Sequence, residues 1–290
     1  MALVRACLRD GSGGSPTVVV EEAGQGDAER RAAAGEWGAS HAVFVEVVHE
    51  GAPGLAASLR FFTAAGELPA CGHGTVAALA FLAARAPRTP APAALRVELR
   101  TAARAFTGLV ERRGRGFAAS FDPGPVVLRE PTADEREPVR DALGLTPGDE
   151  EAEPRVASAG RPRLLVPVAS RARLAALAPD LDRLRAACDR SGLLGAYVHS
   201  PPDPQGRLAA RMFAPSIGVP EDVANANSTA CLAARLAVED PSGTVRIAVD
   251  MGDSLGSPAT VTATATGPGA PASGVLVGGT AVLTRATSAS

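Results

Sequence analysis

The stretch Leu59–Ala83, LRFFTAAGELPACGHGTVAALAFLA, decides how the rest of the chain is read. A strand-like apolar run ends in a turn and a proline. A thiol and an imidazole follow, set among glycines (Cys71, Gly72, His73, Gly74), then Thr75 and a long Ala/Leu run. The run from Thr75 to Ala86 is apolar around most of its circumference, unlike the single stripe of a surface helix, so it belongs at the centre of a sheet. The same order recurs in Ala210–Ala237, ARMFAPSIGVPEDVANANSTACLAARLA. Each copy has an arginine, a phenylalanine two positions on, a turn, a proline, a small polar cluster and an Ala/Leu helix. A second pair matches in the same order: GGSPTVVV from Gly13, and AGRPRLLVPV from Ala159. Two matches in register predict an internal duplication.

The expected organisation is two similar domains, 1–125 and 152–272, joined by a linker rich in proline and charge at 126–151. A final strand at 273–285 is expected to cross back into the first domain. The remaining pattern is largely β, in segments such as HAVFVEVV, LRVELRTA, TVRIAVDM and ATVTATAT. The expected class is α/β (α+β), with each domain a barrel-like sheet around a central helix.

Composition narrows the function. The 290 residues carry 29 basic and 31 acidic side chains, a net charge of -2, and only 3% aromatics. Nucleic-acid binding needs a basic face with aromatics, so that class is set aside. No signal-type or membrane-length apolar run is seen, and a soluble, cytoplasmic protein with no membrane partner is expected. Every basic residue is arginine; without lysine there is no Schiff base to pyridoxal phosphate or a carbonyl substrate. The cysteines Cys7, Cys71, Cys188 and Cys231 form no metal-binding spacing, and three of them read as small buried hydrophobes. Dinucleotide and phosphate loops are missing as well. No metal and no cofactor are expected.

The two helix mouths hold the chemistry. A helix N-terminus presents unpaired N–H groups and about half a positive charge. Gly72 and Gly74 would let an anion approach the first mouth, beside Thr75. Asn225, Asn227, Ser228 and Thr229 offer donors and caps at the second. The two mouths are expected to face one cleft holding a small carboxylate. Taken singly, His73 reads as a structural histidine, Cys71 as packing, Ser228 or Asn227 as a cap and Asp222 as a loop carboxylate; their place on the repeated segments raises them above that.

These motifs, with GASHAVFV from Gly38 and the closing VLVGGTAV, resemble the PhzF phenazine-biosynthesis family, of the diaminopimelate epimerase and proline racemase fold. The resemblance implies a cofactor-independent isomerase. It places His73 and Asp222 on the family's active-site histidine and aspartate, and Ser228, or Asn227 one residue earlier, on its substrate-binding serine. Cys71 falls where racemases of the wider fold carry one catalytic thiol; their second falls near Asn225. Where the family reads Ser-Glu, its glutamate being the proton shuttle, this chain has Ser40-His41. Either His41 takes over proton transfer or that chemistry is lost.

The expected activity is a double-bond shift by proton transfer in a small conjugated carboxylate, with dihydropyrrole or proline-type intermediates of antibiotic biosynthesis as the expected substrate class and a homodimer as the expected assembly. His41 is the shuttle, His73 and Asp222 assist it, and Cys71 is a second candidate base. Ser40 joins the substrate-binding set. Two alternatives stand beside it: a racemase or epimerase built on Cys71, and a non-catalytic small-molecule binding protein.

Overall fold

The computed structural model describes residues 1–51, 54–86, 94–146, 148–267 and 274–286. The chain forms two compact units, Met1–Pro123 with Leu276–Ser290, and Gly124–Val275.

In the first unit, β1 (Ala2–Ala6) and β2 (Ser15–Glu21) pair antiparallel. Val18, Val19 and Val20 of β2 are all buried, as a strand covered on both faces requires. Helix α1 (Asp27–Glu36) then carries the chain to β3 (His41–Gly51), which lies parallel to β2 with His41 opposite Thr17. β4 (Gly54–Thr63) returns antiparallel, and the short β5 (Gly66–Leu68) folds back on its end. Next comes α2 (Gly72–Arg85), then β6 (Leu95–Arg100), parallel to β4. β7 (Ala105–Arg113) and β8 (Gly116–Phe121) continue the sheet. The C-terminal strand, Gly274–Ala286, pairs antiparallel with both β8 and β1. Those pairings close an eight-stranded ring, which removes every edge except the short β5. Helix α2 packs against β1, β2, β3, β4, β7 and β8, and Gly72 through Leu82 are all buried. The apolar helix is therefore central. It starts three residues earlier than the expected Thr75, which puts His73 inside its first turn.

The second unit repeats the order of pairings. It opens with β9 (Val127–Arg129) and α3 (Ala133–Ala142). β10 (Arg155–Ala159) is antiparallel to β9 and to β11 (Arg161–Pro167). The helices α4 (Arg171–Ala175) and α5 (Leu181–Ser191) lead to β12 (Ala196–His199), parallel to β11. β13 (Arg207–Ala214) returns, and the short β14 (Val219–Asp222) folds back on its end. Then α6 (Ala226–Glu239) precedes β15 (Thr244–Met251), parallel to β13, and β16 (Ala259–Thr266) pairs antiparallel with β15. α6 packs on β9, β10, β15 and β16. The sequence antiparallel, parallel, antiparallel, helix, parallel, antiparallel is thus shared by both halves.

The segment 126–151, read above as a linker, instead carries β9 and α3. Val139, Ala142, Leu143 and Leu145 are buried in one core with Leu184, Ala187 and Cys188 of α5. Thr132 and Glu135 form a reciprocal cap at the start of α3: the Thr132 side chain accepts from the Glu135 N–H, and the Glu135 carboxylate from the Thr132 N–H. The T-x-x-E spacing that encodes this cap stands in the sequence amid proline and charge. The expected 272/273 boundary lies outside the described residues. Among those residues, no helix is long and apolar enough to cross a membrane.

Candidate functional site

In the first unit the fold brings four of the expected residues together. His41 opens β3, directly after Ser40, while Cys71 caps α2 and His73 sits in its first turn. The Ser40 hydroxyl lies 2.8 Å from His41 Nδ1, and Cys71 Sγ lies 3.4 Å from His73 Nε2. The two imidazoles meet edge to face, with ring centroids 4.4 Å apart and planes at 85°. His41, Cys71 and His73 are 3%, 6% and 2% exposed, whereas Ser40 is exposed, so solvent borders the group there. Burial first, and then the neighbouring His73, hold the His41 imidazole well below its ordinary range. His41 is therefore a neutral ring at pH 7, able to accept a proton.

One ligand atom from each of His41, Cys71 and His73 lies within 4.8 Å of the other two. Reading the spacing of cysteines and histidines missed this set, because His41 reaches the start of α2 from the strand β3.

Gly72 and Gly74 are both buried in the first turn of α2. A Cβ on Gly74 would stand 2.9 Å from Val43 Cγ2, 3.0 Å from Cys71 Sγ and 3.1 Å from Phe61 Cδ1. The missing side chain at Gly74 thus serves close packing of α2 on the barrel wall. The Thr75 hydroxyl donates to the Cys71 carbonyl at 2.9 Å and so secures the helix start.

The second unit arranges the rest. Asn225 caps α6: its side-chain oxygen accepts from the Ser228 N–H at 2.9 Å, and its amide donates to Asp222 Oδ2 at 3.0 Å. Thr229 is fully buried, its hydroxyl 3.0 Å from the Asn225 carbonyl and 2.8 Å from Tyr197 OH, so that group is spent inside the fold. Asn227 is half-buried in the same first turn. Asp222 and His73, expected to act as a pair, belong to different units.

Sequence reading missed Arg163. This arginine of β11 is 1% exposed, and its Nη1 donates to Ser228 Oγ at 3.3 Å, while Nη2 donates to the Arg161 carbonyl at 2.6 Å. Its Nε has no hydrogen-bond partner, and no carboxylate lies within ion-pair distance among the described residues. With Nη1 occupying an acceptor position on Ser228, the hydroxyl proton is directed to Met212 Sδ at 3.5 Å, a weak acceptor. The available signal was an arginine between apolar positions in RPRLLVPV.

The other cysteines are packing groups. Cys7, Cys188 and Cys231 are fully buried. Burial, then Asp189, pushes Cys188 up to about 12, and burial raises Cys231.

A barrel closed around a buried helix, with acid–base side chains at the helix mouth, defines the class: the fold of the proline racemases and related epimerases. Solved structures of a "probable proline racemase" from Agrobacterium radiobacter and of a hydroxyproline epimerase from Agrobacterium vitis share it, each with a TM-score of 0.60 at 13% identity. Within that class the chain belongs to the PhzC-PhzF family, "Phenazine biosynthesis-like protein", whose family model matches residues 9–287. A PhzF-family structure from Bacillus anthracis covers 98% of this chain and 96% of its own, with a TM-score of 0.79 and 20% identity. A predicted epimerase from Pseudomonas aeruginosa has the same coverage and TM-score at 26% identity. An uncharacterized isomerase of Deinococcus radiodurans is 31% identical over 235 residues, 78% of this chain and 75% of that one. The uncharacterized isomerase YddE of Escherichia coli O157:H7 is 28% identical over 181 residues; that match spans 61% of this chain and 60% of the relative. The relatives are isomerases by name, and the family is one of isomerases.

Proposed function

We propose that this protein is an isomerase that moves a double bond in a small conjugated carboxylate by proton transfer, with His41 as the shuttle and no organic cofactor. A dihydropyrrole carboxylate of the kind found in antibiotic pathways is the substrate class this reading favours. The observation that carries it is the buried, neutral His41 ring, oriented by Ser40 and in edge contact with His73. An imidazole in that state takes a proton from an allylic carbon and returns it elsewhere on the same face. The first-turn N–H groups of α2 would stabilise the charge that develops on the substrate. His73, bonded to Cys71, orients the pair. In the second unit, Arg163 adds a full positive charge behind the half-charge of the α6 helix end, which suits that turn to an anion, with Ser228 and Asn227 as its side chains. Asp222 steadies it by holding the Asn225 cap.

A Cys71-based racemase needs a second base on the opposite face of the carbon. Asn225, the position expected for it, is an amide committed to capping α6 and to Asp222.

The test is proton exchange in deuterium oxide, followed by nuclear magnetic resonance over a panel of cyclic conjugated carboxylates. The wild-type protein should exchange a carbon-bound proton of the true substrate. His41→Gln should slow that exchange by about 10²–10⁴-fold, the usual worth of general acid–base catalysis, and Cys71→Ser by much less. The reverse ranking would establish the racemase, and protection of a ligand without exchange would establish a binding protein.

A further inference from the structure

We propose that His41, Cys71 and His73 form a zinc-type metal site at the N-terminus of α2, one sulfur and two imidazoles with a fourth position left open. This goes beyond the proton-transfer reading and does not rest on it. The Cys71 Sγ to His73 Nε2 separation is 3.4 Å. With Zn–S near 2.3 Å and Zn–N near 2.0–2.1 Å, the sulfur-to-nitrogen edge of a tetrahedral site is about 3.5 Å. All three candidate ligand atoms lie within 4.8 Å of one another, so the widest separation needs to close by at most about 1.5 Å to reach the edge of a tetrahedral site.

Three further features favour a metal over a chance polar cluster. The ligands stand on rigid elements, the start of a barrel strand and the first turn of a buried helix, which is where precise sites are built. The Ser40 hydroxyl, 2.8 Å from His41 Nδ1, orients that ring, as hydrogen bonds to metal-bound imidazoles commonly do. The donor set is soft: one sulfur and two imidazole nitrogens select zinc and its neighbours over magnesium or calcium. Three protein ligands in place of four mark an open site, not a closed structural one. On binding, the Cys71 thiol proton leaves to solvent and the thiolate takes its place on the metal. The occupied site withdraws both imidazoles from acid–base work, so the metal-loaded and proton-transferring states exclude each other.

The experiment uses the full chain, freed of metal by chelation and desalting, and titrated with cobalt(II) as the optical stand-in for zinc. The expected result is about one equivalent bound per chain, with the intense near-ultraviolet thiolate-to-cobalt band and the visible bands of a tetrahedral ion, both erased by added zinc. Cys71→Ser should abolish the thiolate band, and His41→Gln should weaken cobalt binding at least about 10-fold. Circular dichroism checks that each variant is folded. Should Cys71→Ser not fold, zinc-edge X-ray absorption of the wild-type protein, resolving a sulfur and two imidazole nitrogens, takes its place. Retention of less than about a tenth of an equivalent, a cobalt spectrum without the thiolate band, a band that survives in folded Cys71→Ser, or absorption without sulfur would each overturn the proposal.

Discussion

His41 and Arg163 show how much one buried side chain decides. Burial and the adjacent His73 lower the His41 pKa, so the base form persists into more acidic solution than a free imidazole allows. The acid limb of the kcat profile should therefore fall below the ordinary imidazole value of about 6.5, and it should be missing from the residual activity of His41→Gln. A limb at or above 6.5 would remove His41 from the base role. Arg163 is a buried cation with no carboxylate in ion-pair distance among the described residues, a costly arrangement that an apolar replacement relieves. Arg163→Met should leave the fold equally or more stable, by up to about 4 kcal/mol in urea unfolding. It should also weaken binding of small carboxylates at the α6 turn, read by titration calorimetry. Unaltered binding would show that Arg163 serves the fold alone.

At the level of elements, barrel closure depends on the backbone approach of β8 to the C-terminal strand. A Cβ on Gly278 would stand 2.0 Å from the Ala119 carbonyl oxygen, which is sheet backbone and cannot turn aside. Gly278→Ala should therefore cost more than the roughly 1–3 kcal/mol typical of overpacking, measured by denaturant unfolding. The cap of α6 is a milder case. Asn225→Ala removes the acceptor for the Ser228 N–H and should cost about 1 kcal/mol. It also removes one partner of Asp222, so carboxylate binding at the α6 turn should weaken beyond what that loss of stability explains.

Over the whole molecule, the first unit is discontinuous: its eighth strand comes from the far end of the chain. A chain ending at Val275 would leave β1 and β8 as open edges, and it should aggregate on expression instead of yielding a folded first unit. Acid stability has an identifiable source in the second unit. Burial, partly offset by the hydrogen bond to the Ser200 carbonyl and reinforced by Arg235, lowers His199 to about 4. Between pH 6.5 and 4 the unfolded chain binds a proton there that the folded chain does not. Stability is therefore intact above pH 6.5, falls by up to about 3 kcal/mol as the pH drops to 4, and levels off below. His199→Gln should flatten unfolding free energy against pH by as much as one proton in that window. His41 acts in the same direction.

The sequence by itself determined the central helices, because residues apolar on every side have no stable place on a surface. It also determined the duplicated order of elements, since the repeated arginine–phenylalanine strand, proline turn and Ala/Leu helix are local patterns. It carried the proton-transfer candidates Ser40-His41, Cys71 and His73 as motif residues. Only the tertiary structure decided what those residues touch. The closing of the barrel placed His41 within 4.4 Å of His73, and no periodicity encodes a contact between a strand start and a helix turn so far apart in the chain. Arg163 reads as one more polar residue in a strand until burial separates it from water. The need for glycine at Gly74 is visible only once Val43 and Phe61 are seen to stand where its side chain would be. The capping pair Thr132–Glu135 was legible, yet charge and proline around it read as a linker, and only the buried face against α5 makes that segment part of a core. Local pattern fixes which elements form; burial and contact, which depend on residues far away along the chain, fix what their side chains do.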